Sequence, residues 1–152
     1  MSQWIRMPAA THGASDLRYL ADTSALARLG HHADVRAALE PLLREGQLAW
    51  CDVTLLEMGL TARNSDDHQG LGASLRALPT VSIAPSDFAR AWEVQGSLAV
   101  RGRHRGVALP DLLVAACAER LHLTVIHCDA DFDLIASVTG QEARWALDRR
   151  RL

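Results

Sequence analysis

The sequence predicts an α/β domain with a central, mostly parallel β-sheet flanked by α-helices. Short apolar runs, typical of buried strands, alternate along the chain with longer segments that carry helical signals. The 152 residues suit one domain of ordinary size, and no internal repeat or low-complexity stretch divides them. In a parallel sheet, functional sites form beyond the carboxyl ends of the strands, so that edge is where we look for chemistry.

Five segments are predicted to be strands because each is short, mostly apolar and followed by a turn or a helix start. They are LRYLA (17–21), QLAWC (47–51), TVSIA (80–84), LTVIH (123–127) and EARWAL (142–147). Since a parallel connection needs a crossover that usually contains a helix, the segments between these strands should be helical.

Seven segments are predicted to be helices. They are residues 23–30, 33–46, 53–63, 67–78, 86–100, 110–121 and 130–138. Pro41 predicts a kink or a restart in the second of them, because proline removes a backbone donor. Ser86 is a plausible N-cap for the fifth, and Pro110 suits the first turn of the sixth.

The chain ends are predicted to lie outside the domain. Residues 1–16 are expected to be a poorly ordered extension, residues 17–147 the domain, and residues 148–152 a basic, frayed tail. The first sixteen residues lack the contiguous apolar stretch of a secretory signal. No run approaches ~18 consecutive apolar residues, so we expect no membrane span.

The three cysteines indicate a reducing compartment. Cys51, Cys117 and Cys128 are odd in number, lie in apolar segments and form no C-x-x-C motif. Free buried thiols in the cytoplasm fit this pattern better than disulfides or a zinc site. We therefore expect a cytoplasmic protein.

The net charge of −2 does not by itself indicate a nucleic-acid binder, but the distribution of charge is informative. Every basic residue other than histidine is arginine, so mechanisms that need a catalytic lysine are excluded. The loop RGRHRG (101–106) concentrates basic residues just before a predicted helix. We expect Arg101, Arg103, His104 and Arg105 to contact an RNA backbone, although a solvated loop would explain them equally well.

Four acids stand where a strand ends or a helix begins. Asp22 follows the first predicted strand, Glu57 lies one turn into the helix after the second, Asp111 opens the helix at Pro110, and Asp129 follows LTVIH. If the sheet is parallel, all four converge on one edge. Two carboxylates 4 Å apart repel by about 4 kcal/mol at an effective dielectric near 20, so a cation is the natural partner. Oxygen ligands alone indicate Mg²⁺ or Mn²⁺.

Each acid also has a structural explanation. Asp22 could be an ordinary N-cap, and Thr54 with Glu57 matches the S/T-x-x-E capping box. Asp111 could belong to an ordinary helix start, and Asp133 is expected to be solvated. His127, at the end of a buried strand, is expected to be a satisfied core histidine.

Three stretches resemble the PIN-domain ribonucleases, and more narrowly the VapC-type toxins of bacterial toxin–antitoxin pairs. The stretches are YLADTSALARL (19–29), TLLEMGLTAR (54–63) and ALPDLLVAACAERLHLTVIHCDADFDLIASVTG (108–140), and the resemblance spans about residues 17–147 in the same order and spacing. The resemblance implies a PIN-domain fold. It also makes Asp22, Glu57, Asp111 and Asp129 an acidic quartet and Asp131 a fifth acid near the metal, with Thr23 and Ser24 contributing a hydroxyl or backbone contact.

The resemblance further implies a Mg²⁺- or Mn²⁺-dependent endoribonuclease that cleaves tRNA or rRNA. It implies a VapB-like antitoxin that covers the site, and a homodimer formed through apolar faces of the early helices. A PIN-like module that binds RNA or protein without cutting stays open, as does a PIN ribonuclease that processes RNA without an antitoxin. Receiver domains and haloacid-dehalogenase-type phosphatases also place acids at strand ends, but they need a lysine that this chain lacks. No P-loop motif occurs.

Overall fold

The computed structural model describes residues 16–151, which form a five-stranded parallel sheet covered by helices on both faces. The strands are β1 (Tyr19–Ala21), β2 (Leu48–Cys51), β3 (Thr80–Val81), β4 (Thr124–His127) and β5 (Ala143–Trp145). Their order across the sheet is β3-β2-β1-β4-β5, and every neighbouring pair is parallel. The predicted fold class is therefore confirmed.

Seven α-helices connect or follow the strands. They are α1 (Thr23–Leu26), α2 (Ala33–Arg44), α3 (Asp52–Gly59), α4 (Ser65–Arg76), α5 (Pro85–Val100), α6 (Leu109–Arg120) and α7 (Asp131–Thr139). Two 3₁₀ turns lie at His104–Gly106 and Arg149–Arg151. Among residues 16–151, no helix combines the length and apolar character needed to cross a membrane.

The core is divided between the two faces of the sheet. Successive strand residues point to opposite sides, so Leu20 and Val125 join one cluster while Ala21 and Ile126 join the other. The first cluster packs under α5, α6 and α7, and the second packs under α1, α2 and α4. Burial on both faces explains why the central strands β1, β2 and β4 are mostly apolar without polar alternation, whereas the edge strands β3 and β5 carry the exposed Thr80 and Arg144.

Several element boundaries differ from the predicted ones. Pro41 lies inside a continuous α2 and does not restart it. The strand predicted for 80–84 ends at Val81, and the Ile83 N–H donates to the Asp52 carboxylate at 3.2 Å instead of continuing the ladder. Helix α3 ends at Gly59, four residues earlier than predicted.

The N-cap predicted at Ser86 is wrong. Ala84 occupies the N-cap position of α5, and its N–H donates to the Asp87 carboxylate at 2.8 Å. Asp87 is also paired with Arg120 at 2.8 Å, which anchors the start of α5 to the end of α6. The acid at the third helical position thus accepts the N–H of the N-cap residue, which is the half of a capping box that needs no hydroxyl at the N-cap.

The C-terminal segment makes two exposed ion pairs, and the prediction that residues 148–152 form a basic tail stays a prediction. Arg149 pairs with Asp133 at 3.1 Å, and Arg150 pairs with Asp148 at 2.8 Å. Of the N-terminal extension predicted for residues 1–16, residues 1–15 lie outside the residues that the structure describes, so that expectation stays a prediction.

Candidate metal centre

Two adjacent strands deliver the first two acids. Asp22 directly follows β1, Asp129 lies two residues beyond β4, and these strands pair with Ala21 opposite Ile126. The Asp22 N–H donates to the Ile126 carbonyl at 2.9 Å, which continues the ladder to the edge of the sheet. Both side chains therefore reach the same carboxyl edge, as a parallel arrangement requires.

Three carboxylates from different elements meet at this edge. Oxygens of Asp111, Asp129 and Asp131 lie within 4.8 Å of one another, a spacing that could hold a metal ion. Asp111 enters from the first turn of α6, and Asp131 is the first residue of α7. Two backbone donors orient the last two acids, because Asp129 Oδ1 accepts the Asp131 N–H at 3.0 Å and Asp131 Oδ2 accepts the Ala108 N–H at 3.0 Å.

Asp22 is the most buried acid of the group and has an unused oxygen. Its Oδ2 accepts the Ser24 N–H at 2.8 Å and the Ser24 hydroxyl at 2.5 Å, whereas its buried Oδ1 has no hydrogen-bond partner. Burial raises the pKa of Asp22, and the Ser24 bonds oppose that shift. A buried carboxylate oxygen without a donor fits a cation ligand, because an unsatisfied buried acceptor is otherwise costly.

The pKa of Asp111 shows how strongly the four acids repel. Burial and then the charge of Asp22 raise the pKa of Asp111 to about 8, and Asp131 and Asp129 add to the shift. Without a cation, the cluster therefore retains a proton near neutral pH. The all-oxygen donor set and this excess of negative charge both fit a divalent metal such as Mg²⁺ or Mn²⁺.

Glu57 joins the site through Thr23 and not as a helix cap. The Thr23 hydroxyl donates to Glu57 Oε2 at 2.6 Å. The capping-box interpretation is wrong, because the N-cap of α3 is Cys51 and it makes no side-chain cap bond. Glu57 lies outside the group of three carboxylates, but its charge contributes to the raised pKa of Asp22.

Ser24 connects two parts of the chain that are far apart in sequence. Its hydroxyl donates to Asp22 and accepts the Cys128 N–H at 2.9 Å, so it joins the start of α1 to the segment after β4. This bond fixes the relative positions of Asp22 and Asp129.

We expect Ser24→Ala to lower the free energy of unfolding by about 1–3 kcal/mol, because it leaves the Asp22 carboxylate and the Cys128 N–H with fewer partners. Denaturant titration measures this loss. Ser137→Ala is the matched control, since the Ser137 hydroxyl makes only exposed contacts on α7. Equal stability of the two variants would contradict the bridging role of Ser24.

The basic loop lies next to one side of the acids. Residues 101–106 lead directly into Ala108, which donates its N–H to Asp131. Arg101, Arg103 and Arg105 are exposed, and the Arg101 guanidinium donates to the Ser137 carbonyl on α7 at 3.2 Å. The position of the loop is therefore compatible with the predicted RNA contacts of Arg101, Arg103, His104 and Arg105, which stay predictions.

His127 and Asp133 lie beside the acidic cluster, although neither was predicted to belong to the site. His127 is buried between the rings of Phe132 and Trp145, at centroid distances of 5.0 and 4.9 Å. Its Nδ1 accepts the Asp129 N–H at 3.3 Å but its Nε2 has no partner, so it is not the fully satisfied histidine that was expected. Asp133 is bound by Trp145 and Arg149 rather than by solvent alone. The register that places Trp145 opposite His127 was not visible in the sequence.

Comparison with known proteins identifies the class to which this fold and this acidic edge belong. A family model described as PIN domain matches residues 19–138, so the chain belongs to the PIN-domain family. Within that family it is a VapC-type chain: it is 45% identical to Ribonuclease VapC21 of Mycobacterium tuberculosis over 131 residues, which cover 86% of this chain and 94% of that protein.

Two solved structures have the same fold. The crystal structure of DNA-bound VapBC from Salmonella typhimurium matches with a TM-score of 0.70 at 15% identity, and covers 86% of this chain and 98% of its own. The VapBC-5 structure from Mycobacterium tuberculosis, described as a member of the VapBC family of toxin–antitoxin systems, matches with a TM-score of 0.57 at 25% identity. The match covers 93% of this chain and 100% of that one.

Proposed function

We propose that this protein is a metal-dependent endoribonuclease and acts as the toxin of a VapBC-type toxin–antitoxin module. The observation that carries the proposal is the convergence of Asp22, Asp111, Asp129 and Asp131 at the carboxyl edge of the sheet, with one buried oxygen of Asp22 left without a donor. The name of the 45% identical relative, Ribonuclease VapC21, supports RNA as the substrate.

The four carboxylates would hold Mg²⁺ or Mn²⁺, with Glu57 completing the acidic set. When bound, such an ion lowers the pKa of a water molecule and stabilises the leaving oxygen of a phosphodiester. The protein's own part is to fix the ligands. Ser24 holds Asp22 in place, the backbone N–H of Ala108 orients Asp131, and Thr23 directs the Glu57 carboxylate towards this edge. The arginines of residues 101–106 would attract the RNA backbone to a site that otherwise repels it.

Mapping of new 5′-phosphate ends in total RNA, after brief induction in a bacterial host, tests this function. Wild type should create ends at a few positions in tRNA or rRNA, because metal-assisted hydrolysis leaves a 5′-phosphate. Asp111→Asn should create none at equal soluble expression. Identical end patterns for the two proteins would refute the proposal.

An antitoxin partner follows from the same site. The matched structures are VapBC toxin–antitoxin proteins, and this likeness supports a VapB-like chain as the partner. A basic side chain inserted among the acids would stabilise their ionised forms, which burial and mutual repulsion disfavour in the free protein. We therefore expect the antitoxin to inhibit cleavage by occupying the cation position.

We also propose a homodimer, but on different helices from those predicted. The large apolar side chains of α1 and α2 are buried or partly buried. In contrast, Leu56 on α3, Leu60 directly after α3, and Phe88 and Trp92 on α5 are exposed. Phe88, Trp92 and Leu109 line a groove of about 200 Å³ between α5 and α6. Exposed apolar side chains grouped in this way are typical of a protein–protein interface.

Sedimentation velocity at micromolar concentration should show a dimer, and Trp92→Asp should convert it to a monomer because burying an unpaired charge in an apolar interface is costly. Val100→Asp is the matched control, since Val100 is an exposed apolar residue of α5 outside the groove. A wild-type chain that sediments as a monomer would exclude the dimer.

A further inference from the structure

A second polar cluster lies at the carboxyl edge of the sheet, on the side formed by β5. Trp145 is the last residue of β5 and is paired with His127, the last residue of β4. The indole N–H of Trp145 donates to the two Asp133 carboxylate oxygens at 3.1 and 3.3 Å. His127 contacts the Trp145 ring at 4.9 Å and accepts the Asp129 N–H, so the ring stands beside the acidic cluster without belonging to it.

Arg149 completes this cluster from the C-terminal segment. Its guanidinium carbon lies 5.2 Å from the centre of the Trp145 ring, and its Nη1 lies 3.1 Å from Asp133 Oδ2. The Arg149 side chain is 64% exposed. An ion pair this exposed contributes about 0–1 kcal/mol, so the guanidinium can exchange Asp133 for another anion at little cost.

Packing explains the position of Trp145 but not that of Arg149. The contact of Trp145 with the buried His127 ring, at 4.9 Å, explains why an aromatic residue closes this end of the sheet. It does not require an exposed cation over the ring. A guanidinium stacked on an indole offers a phosphate ligand and a flat aromatic surface together, which is the combination that single-stranded nucleic acids bind.

The negative charge of the acidic edge repels RNA, and a cation beside it would offset that repulsion. A phosphodiester that approaches Asp22, Asp111, Asp129 and Asp131 is repelled, so the strand needs positive charge on both sides of the site. Residues 101–106 supply it on the side of α6. Arg149 supplies it on the side of β5, where it already binds an acid in the first turn of α7.

We propose that Trp145 and Arg149 form a subsite for a nucleotide next to the scissile phosphate of single-stranded RNA. This proposal rests on the proposed ribonuclease function. In the bound state the Arg149 guanidinium leaves Asp133 and the Trp145 ring and binds a phosphate of the strand, and a base stacks on the indole face that the guanidinium has left.

Binding of a short fluorescein-labelled oligouridylate, measured by anisotropy at several KCl concentrations, tests the subsite. All variants are made in an Asp111→Asn background so that cleavage does not interfere. Arg149→Gln should weaken binding by about tenfold and reduce the slope of log K against log salt by about 0.7, the value for one phosphate contact on a single strand. Arg149→Lys should keep the slope, because it keeps the charge.

Arg144→Gln is the matched control. Arg144 is also exposed, is also on β5 and also places its guanidinium over an aromatic ring, at 4.9 Å from the centre of Tyr19. Tyr19 is the first residue of β1, so the Arg144 guanidinium lies over the amino-terminal end of that strand, whereas Asp22 follows its carboxyl end. Arg144→Gln should leave the affinity and the salt slope unchanged.

Trp145 is tested by two variants, because one of them could disturb the fold. Trp145→Leu should weaken binding by about tenfold with no change of salt slope, since it removes a stacking surface and not a charge. Trp145→Phe should retain most of the affinity, because it keeps an aromatic face.

The outcomes separate the subsite from the function on which it rests. If Arg149→Gln binds like Arg144→Gln while wild type still produces new RNA ends, the subsite is refuted and the ribonuclease proposal stands. If Arg149→Gln has the expected effect but wild type cuts no RNA, the ribonuclease proposal fails and the binding surface remains. Loss of affinity with an unchanged salt slope in Arg149→Gln would also refute the phosphate contact.

Discussion

Replacing Asp111 by asparagine will reduce RNA cleavage by purified protein by at least about 100-fold, the scale at which loss of one charge-stabilising group in an active site is measured. Asp111 is the acid whose pKa is raised by all the neighbouring acids. Burial and then the charge of Asp22 raise that pKa to about 8. An amide has similar volume but carries no negative charge, so it removes a metal ligand without opening a cavity.

The same substitution should not unfold the metal-free protein. The asparagine amide can donate to neighbouring carboxylates, and the like-charge repulsion at this edge decreases. We therefore expect Asp111→Asn to be at least as stable as wild type in the presence of a chelator at pH 8. Asp52→Asn is the matched control for activity, because Asp52 is an exposed acid directly after β2 that binds the Ile83 N–H and lies outside the cluster. Full cleavage by Asp111→Asn, or a comparable loss in Asp52→Asn, would contradict the assignment of the site.

The second large effect concerns how the stability of the fold changes with pH. Without metal, stability should fall as pH rises, and with metal it should increase. In the folded, metal-free protein the pKa of Asp111 is about 8, above its ordinary value of 3.8. The folded state therefore holds a proton that the unfolded state has released between these two pH values. The stability from this group is fully present below about pH 4 and is lost as pH rises through 8, with a slope of at most about 1.4 kcal/mol per pH unit.

Between pH 6.5 and 8 the acids at the site dominate this dependence, because burial also raises the pKa of Asp22 and so acts in the same direction as Asp111. The pKa of buried His127 is lowered from 6.5, so its contribution to stability rises with pH only up to about that value. Burial raises the thiol pKa values of Cys51, Cys117 and Cys128 above 9.0, so they titrate above the window. Thermal unfolding of chelated protein should therefore show a melting temperature that falls from pH 6.5 to 8.

Adding Mn²⁺ should reverse that trend. A metal competes with the proton for the carboxylates, so its stabilisation grows as pH rises. At a concentration about 100 times its Kd, the ion stabilises the fold by about 2.7 kcal/mol. Asp111→Asn should lose both the negative slope without metal and the increase with metal, and Asp52→Asn should keep both. A melting temperature of wild type that is insensitive to Mn²⁺ at pH 8 would exclude the metal centre.

The class of fold was predictable because its signals are local. Buried parallel strands are short apolar runs, and helices show their own periodicity and start signals, so the alternation was visible along the chain. The boundaries were less predictable. The strand at Thr80–Val81 ends where the Asp52 carboxylate accepts the Ile83 N–H across 31 residues. Asp87, which accepts the Ala84 N–H at the start of α5, is held by Arg120, 33 residues away.

The sequence by itself determined that acids would gather at one edge, because parallel strands all end on the same side and Asp22 and Asp129 each follow such a strand. Only the tertiary structure decided how they are held. Ser24 bonds to the Cys128 N–H across 104 residues, and Thr23 bonds to Glu57 across 34. Such bonds depend on strand order and register, which bring distant residues together and leave no periodic pattern in the chain. The same reason hid Trp145 and Arg149, whose position beside the acids depends on β5 pairing with β4.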